Sequence, residues 1–300
     1  MRLGFAVKVL GEGGLPSHDT RRWQSAPHLR HSIEAMHAVL GYLERHDIRM
    51  YRMTASLAPY ATHPDLPAFH AQVDEALYEL AGLGAHARAL GIRLSTHPGQ
   101  YVVLNSEHAA VQEAAIRDLE LQAALFDALG LGPEAVAVIH VGGGGRDRPA
   151  GLDRWVAGWE RLSERARARL VVENDDRTYA LPDVMELHRR TGVPVVFDVL
   201  HHECCDRDGI PVRAALALAL RTWPSGVRPK VHYSTPREPG SRAHADEIDP
   251  LAFAAFLDAA AGLEFDVMLE AKAKDLALLR LRERLATPPA RGDRRGRAAA

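Results

Sequence analysis

Val193-Pro194-Val195-Val196-Phe197-Asp198-Val199-Leu200-His201-His202 is the stretch whose reading decides the fold. Val195, Val196 and Phe197 form a continuous apolar run rather than an alternating one, which marks a strand buried on both faces of a parallel sheet. The run ends on Asp198, with His201 three residues later. Parallel α/β proteins build their sites where strands run out at their carboxyl ends. The same grammar recurs elsewhere in the chain. Leu94-Ser95-Thr96 ends on His97, residues 136–139 on His140, Leu170-Val171-Val172 on Glu173, Val231 on His232, and Val267-Met268-Leu269 on Glu270. Six apolar runs thus finish on a residue type that binds metals.

Outward from these runs, helical periodicity alternates with them. Residues 28–46 carry Ile33, Met36, Val39, Leu40 and Leu43 at helical spacing. Further helices are predicted over 68–90, 107–129, 152–168, 181–190, 213–221 and 250–261. Strands are predicted over 2–9, 48–53, 92–96, 135–139, 169–172, 193–198, 229–232 and 265–269. Strands alternating with helices mean parallel βαβ units, and eight of them mean a closed (β/α)8 TIM barrel. Residues 1–287 are therefore expected to form one barrel domain with a metal site at the carboxyl face of its strands. Residues 288–300, rich in arginine, are expected to be a disordered basic tail.

Composition narrows the function classes. With 300 residues, 47% of them hydrophobic, the chain can bury one large core. It has no apolar run of membrane-spanning length and no secretory leader pattern, so a soluble, cytoplasmic protein that does not engage membranes is expected. The only cysteines, Cys204 and Cys205, are neighbours and make no disulfide framework. A formal net charge of −2 argues against a nucleic-acid footprint spread over the whole domain, so any such surface is a local patch. Sixteen histidines are the one oddity.

In a barrel, all strand ends open onto one mouth. There His97, His140, Glu173, Asp198, His232 and Glu270 would meet, with His63, His201 and His244 on adjoining loops. Nine nitrogen and oxygen ligands exceed what one four-coordinate zinc uses. Two or three divalent ions are expected. Imidazole with carboxylate suits Mn2+, Zn2+ or Fe better than Mg2+. Clustered divalent ions clamp the attacking and leaving oxygens of a phosphoryl displacement, so the matching chemistry is phosphate-ester hydrolysis. A different class remains open: a sugar isomerase or epimerase barrel could hold a single Mn2+ on Glu173, Asp198, His232 and Glu270.

Thr96-His97-Pro98-Gly99-Gln100-Tyr101, Val172-Glu173-Asn174-Asp175, Asp198-Val199-Leu200-His201-His202, Pro229-Lys230-Val231-His232 and Leu269-Glu270-Ala271-Lys272 together resemble the UV damage endonucleases. The resemblance covers residues 1 to 275 in order and spacing. It implies a DNA repair endonuclease with a barrel like that of the endonuclease IV family. Such an enzyme would cut the phosphodiester 5′ of cyclobutane dimers, 6-4 photoproducts and abasic sites. It further implies a three-metal cluster, usually manganese, on His63, His97, His140, Glu173, Asp198, His201, His232, His244 and Glu270. Catalysis would fall to Glu173, His232 and Lys230. Lys230 lies two residues before His232 and so shares its face of the strand, and its counterpart in the family is carboxylated.

Gln100 and Tyr101 match the family's lesion probe, an amide and an aromatic ring that wedge into weakened stacking. The chain departs from the family at Gly4-Phe5-Ala6 and Val9, where Gly-Tyr-Pro and an asparagine are expected. Phe5 keeps the ring of a lesion contact and loses the hydroxyl. Arginines on strand-end loops, Arg146 and Arg237 among them, would meet DNA backbone. The implied partner is damaged double-stranded DNA, bound by a monomer at the nucleoid while acting. A damage-binding protein that has lost catalysis is the least favoured reading, because no strand-end ligand is missing.

Overall fold

Each apolar run predicted to be a buried strand is one, and every strand is four residues long. In the computed structural model, which describes residues 1–143 and 147–286, the order is β1 (Leu3–Ala6), α1 (Leu29–Arg45), β2 (Met50–Met53), α2 (Gln72–Glu75), α3 (Leu77–Ala89) and β3 (Arg93–Thr96). There follow α4 (Ala109–Ala128), β4 (Ala137–His140), α5 (Arg148–Glu160), α6 (Glu164–Arg169), β5 (Leu170–Glu173), α7 (Leu181–Thr191) and β6 (Val195–Asp198). The chain continues with α8 (Val199–Cys204), α9 (Val212–Leu220), β7 (Lys230–Tyr233), α10 (Pro250–Ala259), β8 (Asp266–Leu269) and α11 (Lys274–Ala286). Gly144, Gly145, Arg146 and the predicted basic tail lie outside the described residues.

The strands close in sequence order, β1 to β8, and each pairs in parallel with its neighbours. This is the TIM barrel that the alternation predicts. Register converts sequence position into adjacency: His140 lies beside Glu173, and Asp198 beside His232. Two-residue periodicity then stacks three of these four residues above a barrel-filling valine, and His232 above Lys230. Val138 lies below His140, Val171 below Glu173 and Val196 below Asp198, and these valines form an inner apolar cluster with Val136 and Trp223. Strand residues of the opposite facing, such as Ile139, Val172, Val195 and Phe197, join the larger core against the helices. Among the described residues no helix is long and apolar enough to cross a membrane.

Two predicted helices differ, and two helices are additional. The helix expected over 68–90 breaks into α2 and α3, with the Glu75 carbonyl taken by the Arg30 guanidinium. The one expected over 152–168 restarts at Ser163, whose hydroxyl caps α6 by accepting the Ala166 N–H at 3.2 Å. The short helix α8, which carries His201 and Cys204, and the closing helix α11 are both additional to the predicted set. Helix α3 runs close under the end of α4. At Gly84 a Cβ would sit 1.7 Å from the Leu129 carbonyl oxygen, so only glycine permits that approach.

Candidate metal centre

Glu173 closes β5 and is 1% exposed, and four histidines surround its carboxylate. Oε2 lies 3.0 Å from His97 Nε2 and 4.0 Å from His140 Nε2. Oε1 lies 2.9 Å from His232 Nδ1 and 3.4 Å from His201 Nδ1. His232 also stands 3.3 Å from Glu270, which in turn is 3.7 Å from His244. Three sets of donor atoms each fall within 4.8 Å of one another: His97, Glu173 and His232; His140, Glu173 and His201; Asp198, His232 and Glu270. Glu173 and His232 each belong to two sets. A shared carboxylate of that kind is what bridged divalent ions require.

Local structure aims these groups. The Asn174 side chain donates to the Asp198 carbonyl at 3.0 Å and accepts the Asp198 N–H at 2.9 Å, pinning the end of β5 to that of β6. Asp198 caps α8 by accepting the His201 N–H at 2.8 Å. His97 Nδ1 lies 3.1 Å from the Pro98 carbonyl and His201 Nδ1 lies 3.0 Å from that of Asn174. A carbonyl only accepts, so both rings carry hydrogen on Nδ1, which leaves Nε2 as the nitrogen a metal could take.

The electrostatics match a site built for cations. Burial would raise the Glu173 carboxyl, yet His232 and His140 hold it well below its ordinary range. Asp198 is pushed well up by burial, with Glu173 and Glu270 adding to the push. Burial opposes charge on His201, but Asp198 and Glu173 win and lift it to about 11. His232 is held down to about 3 by burial, assisted by Arg52. Asp198 Oδ2 and His140 Nδ1 are buried without a hydrogen-bond partner. Orphaned donors of this type, together with the oxygen and imidazole set, fit divalent metal ions.

The remaining predicted residues fall in distinct places. His63, on the loop after β2, belongs to none of the three donor sets. Its Nδ1 accepts the Asp65 N–H at 3.2 Å and its ring is 6.3 Å from that of Tyr60. Gln100 borders a cavity of about 600 Å3 with His140, His201 and residues 175–178. Tyr101, 69% exposed, borders one of about 680 Å3 with Tyr60, Thr62 and His63. The turn at Pro98-Gly99 is thus a ridge between two hollows. Phe5 is fully buried, edge-on to Tyr51 at 5.3 Å, so the expected lesion contact is instead packing beneath the mouth. Arg237 is exposed on the excursion that returns at His244, its N–H bonded to the Ala243 carbonyl at 2.7 Å. Arg146 lies outside the described residues.

Sequence reasoning missed Arg52. It sits in β2, 7% exposed, with its guanidinium on Glu270 and 2.9 Å from His232 Nε2. Its one signal was an arginine inside a run predicted to be a buried strand. Lys230 is fully buried and its Nζ has no hydrogen-bond partner.

The family model described as UV-endonuclease UvdE matches residues 21–290. A UV DNA damage endonuclease of Bacillus cereus (strain G9842) is 32% identical over 263 residues, covering 86% of this chain and 81% of the relative. That of Bacillus pumilus (strain SAFR-032) is 35% identical over 256 residues, covering 83% and 78%. The crystal structure of SacUVDE superposes with a TM-score of 0.84 at 30% identity, over 95% of this chain and 98% of that one. A D-tagatose 3-epimerase-like protein reaches a TM-score of 0.61 at 12% identity and shares the fold alone. The match spans nearly the whole barrel, including the strand ends that gather around Glu173, and on that ground the chain belongs to the UV DNA damage endonuclease family.

Proposed function

We propose that this protein is a metal-dependent DNA endonuclease that cuts 5′ of UV photoproducts and abasic sites. The observation that carries the reading is the carboxylate of Glu173 set among four histidines, in a chain of this family. Two or three divalent ions, manganese first among them, would be held by His97, His140, Glu173, Asp198, His201, His232, His244 and Glu270. They would supply Lewis-acid activation of the phosphodiester and of the attacking water. The chain's own residues do the rest. Glu173 would help hold the ions, His97 and His201 are fixed by their carbonyl partners, and Arg52 keeps Glu270 ionised. The ridge of Gln100 and Tyr101 enters the duplex where stacking is already weak. The protein acts as a monomer on damaged double-stranded DNA, in the cytoplasm at the nucleoid.

Supercoiled plasmid, UV-irradiated or untreated, tests this with Mn2+, Mg2+ or EDTA present. Damage-dependent nicking that EDTA abolishes is expected. Base stacking on an aromatic is worth about 1–3 kcal/mol, so Tyr101→Ala should slow damage-dependent nicking about fivefold or more. Metal-loaded protein that nicks nothing, with one ion per chain, would return the sugar isomerase reading.

Lys230 enters the same proposal. Burial pushes its ammonium well below the ordinary lysine range, and Arg52 and Arg93 add to the push. A buried cation with no partner is costly, whereas a neutral amine can add to CO2 and lose a proton to become a carbamate. That product would be an anion facing the metals. Native mass spectrometry should find the chain heavier by one CO2, with the increment lost in Lys230→Met. Fully active protein at its unmodified mass would refute the modification.

A further inference from the structure

Among the non-glycine residues with left-handed backbone on the loops that leave the strands' carboxyl ends are Val7, with φ +62°, and Lys274, with φ +51°. Such geometry costs about 1–3 kcal/mol each and persists only where surroundings enforce it, which is common at ligand clamps. Here the enforcement is visible. The Val7 N–H bonds the Arg52 carbonyl at 2.9 Å, its carbonyl accepts the Tyr51 hydroxyl, and the Lys8 N–H closes the turn onto Ala6 at 2.8 Å. On the other side, the Lys274 N–H bonds the Ala271 carbonyl at 3.2 Å.

A single carboxylate ties the two turns together. Asp275, fully buried in the first turn of α11, accepts the N–H of Leu10 at 2.7 Å, that of Gly11 at 2.9 Å and the Tyr42 hydroxyl at 2.7 Å. The approach is so close that a Cβ at Gly11 would meet the Tyr42 hydroxyl at 2.6 Å. Each strained turn presents a lysine. Lys8 is exposed and Lys274 half-buried, and among the described residues neither makes an ion pair or a side-chain hydrogen bond. Burial pulls Lys274 below its ordinary value, Glu270 opposes the pull, and Arg52 and Lys8 add to it.

Two lysines without a side-chain partner thus stand on neighbouring backbone segments that one buried carboxylate holds fixed. We propose that Lys8 and Lys274 form a clamp for one backbone phosphate of the DNA substrate, at the β8–β1 edge of the mouth beside Glu270. This assignment rests on the endonuclease reading and adds to it the point where the sugar-phosphate chain is gripped. A phosphate there is positioned by two point charges and carries no base information.

The test is the salt dependence of binding by the full chain. The probe is a duplex with a tetrahydrofuran abasic analogue and a phosphorothioate at the scissile linkage, followed by anisotropy across NaCl concentrations. One neutralised phosphate contributes about 0.9 to the slope of log K against log salt. The double variant Lys8→Gln/Lys274→Gly should lower the slope by about that amount, and Arg189→Gln on the far helix α7 should leave it alone. Glycine relieves the φ at position 274, so Lys274→Gly alone should keep or raise Tm while weakening binding several-fold. An unchanged slope in the double variant overturns the clamp, as does a fall near 1.8, which would mean two separate phosphates. Lower Tm with wild-type binding in Lys274→Gly makes that residue structural and overturns it too. Wild-type protein that neither binds nor nicks damaged DNA defeats the endonuclease reading itself, a result distinct from these.

Discussion

Glu173→Gln should reduce nicking of UV-damaged plasmid by at least about 10³-fold while leaving the barrel folded. Groups that act as a unit fail together when the shared member is lost, and Glu173 is that member. It takes part in two of the three donor sets and approaches His97, His140, His201 and His232. Glutamine preserves its volume and one oxygen, so packing against the inner valines is retained. What disappears is the charge that would let one side chain serve two cations, and with it the balance that lifts His201 and holds its own carboxyl ionised. Metal content measured by mass spectrometry should therefore fall together with rate, and circular dichroism should stay that of wild type. Nicking within tenfold of wild type would show that Glu173 is not the shared ligand and would remove the central premise of the proposed mechanism.

The sequence announces this hub because a buried strand has a strong signature and a charged residue at its end breaks it. Leu170-Val171-Val172 before Glu173 and Val195-Val196-Phe197 before Asp198 are legible from hydrophobicity alone. Register is not. That His140 stands beside Glu173, and Asp198 beside His232, follows only once the barrel closes. Arg52 is hidden for a related reason: a single arginine in Met50–Met53 gives no hint that it reaches Glu270 across more than 200 residues of chain. Phe5 misleads in the opposite direction. An aromatic near a strand end resembles a ligand contact, but packing against Tyr51 takes it out of reach. Helix breaks at Glu75 and Ser163 depend on side chains from neighbouring helices, Arg30 and Glu120, and no local periodicity contains them.

The largest stability effect should come from the opposite end of the barrel, with Asp266→Ala. Asp266 opens β8 and is fully buried, as is Arg93, which opens β3. The Arg93 guanidinium reaches Asp266 at 3.1 Å, donates to the carbonyls of Arg228 at 2.8 Å and Glu134 at 3.1 Å, and stacks 5.7 Å from the centre of the Trp223 ring. Asp266 also accepts the Arg2 N–H at 2.8 Å and lies 3.4 Å from the Arg228 side chain. Removing the carboxylate strands a desolvated guanidinium among other arginines, a loss of about 3–5 kcal/mol for a broken buried pair. Replacing both partners is a different matter, because a well-packed apolar pair is often neutral. The double variant Asp266→Leu/Arg93→Met should thus recover most of what the single variant loses, a non-additivity that urea unfolding at constant m would reveal. The mouth lies at the other end of the strands, so the folded fraction of Asp266→Ala should still nick damaged plasmid. A single-variant cost below about 1 kcal/mol, or a double variant no more stable than the single, would mean that the floor is held by the apolar cluster around Trp223 and not by this ion pair.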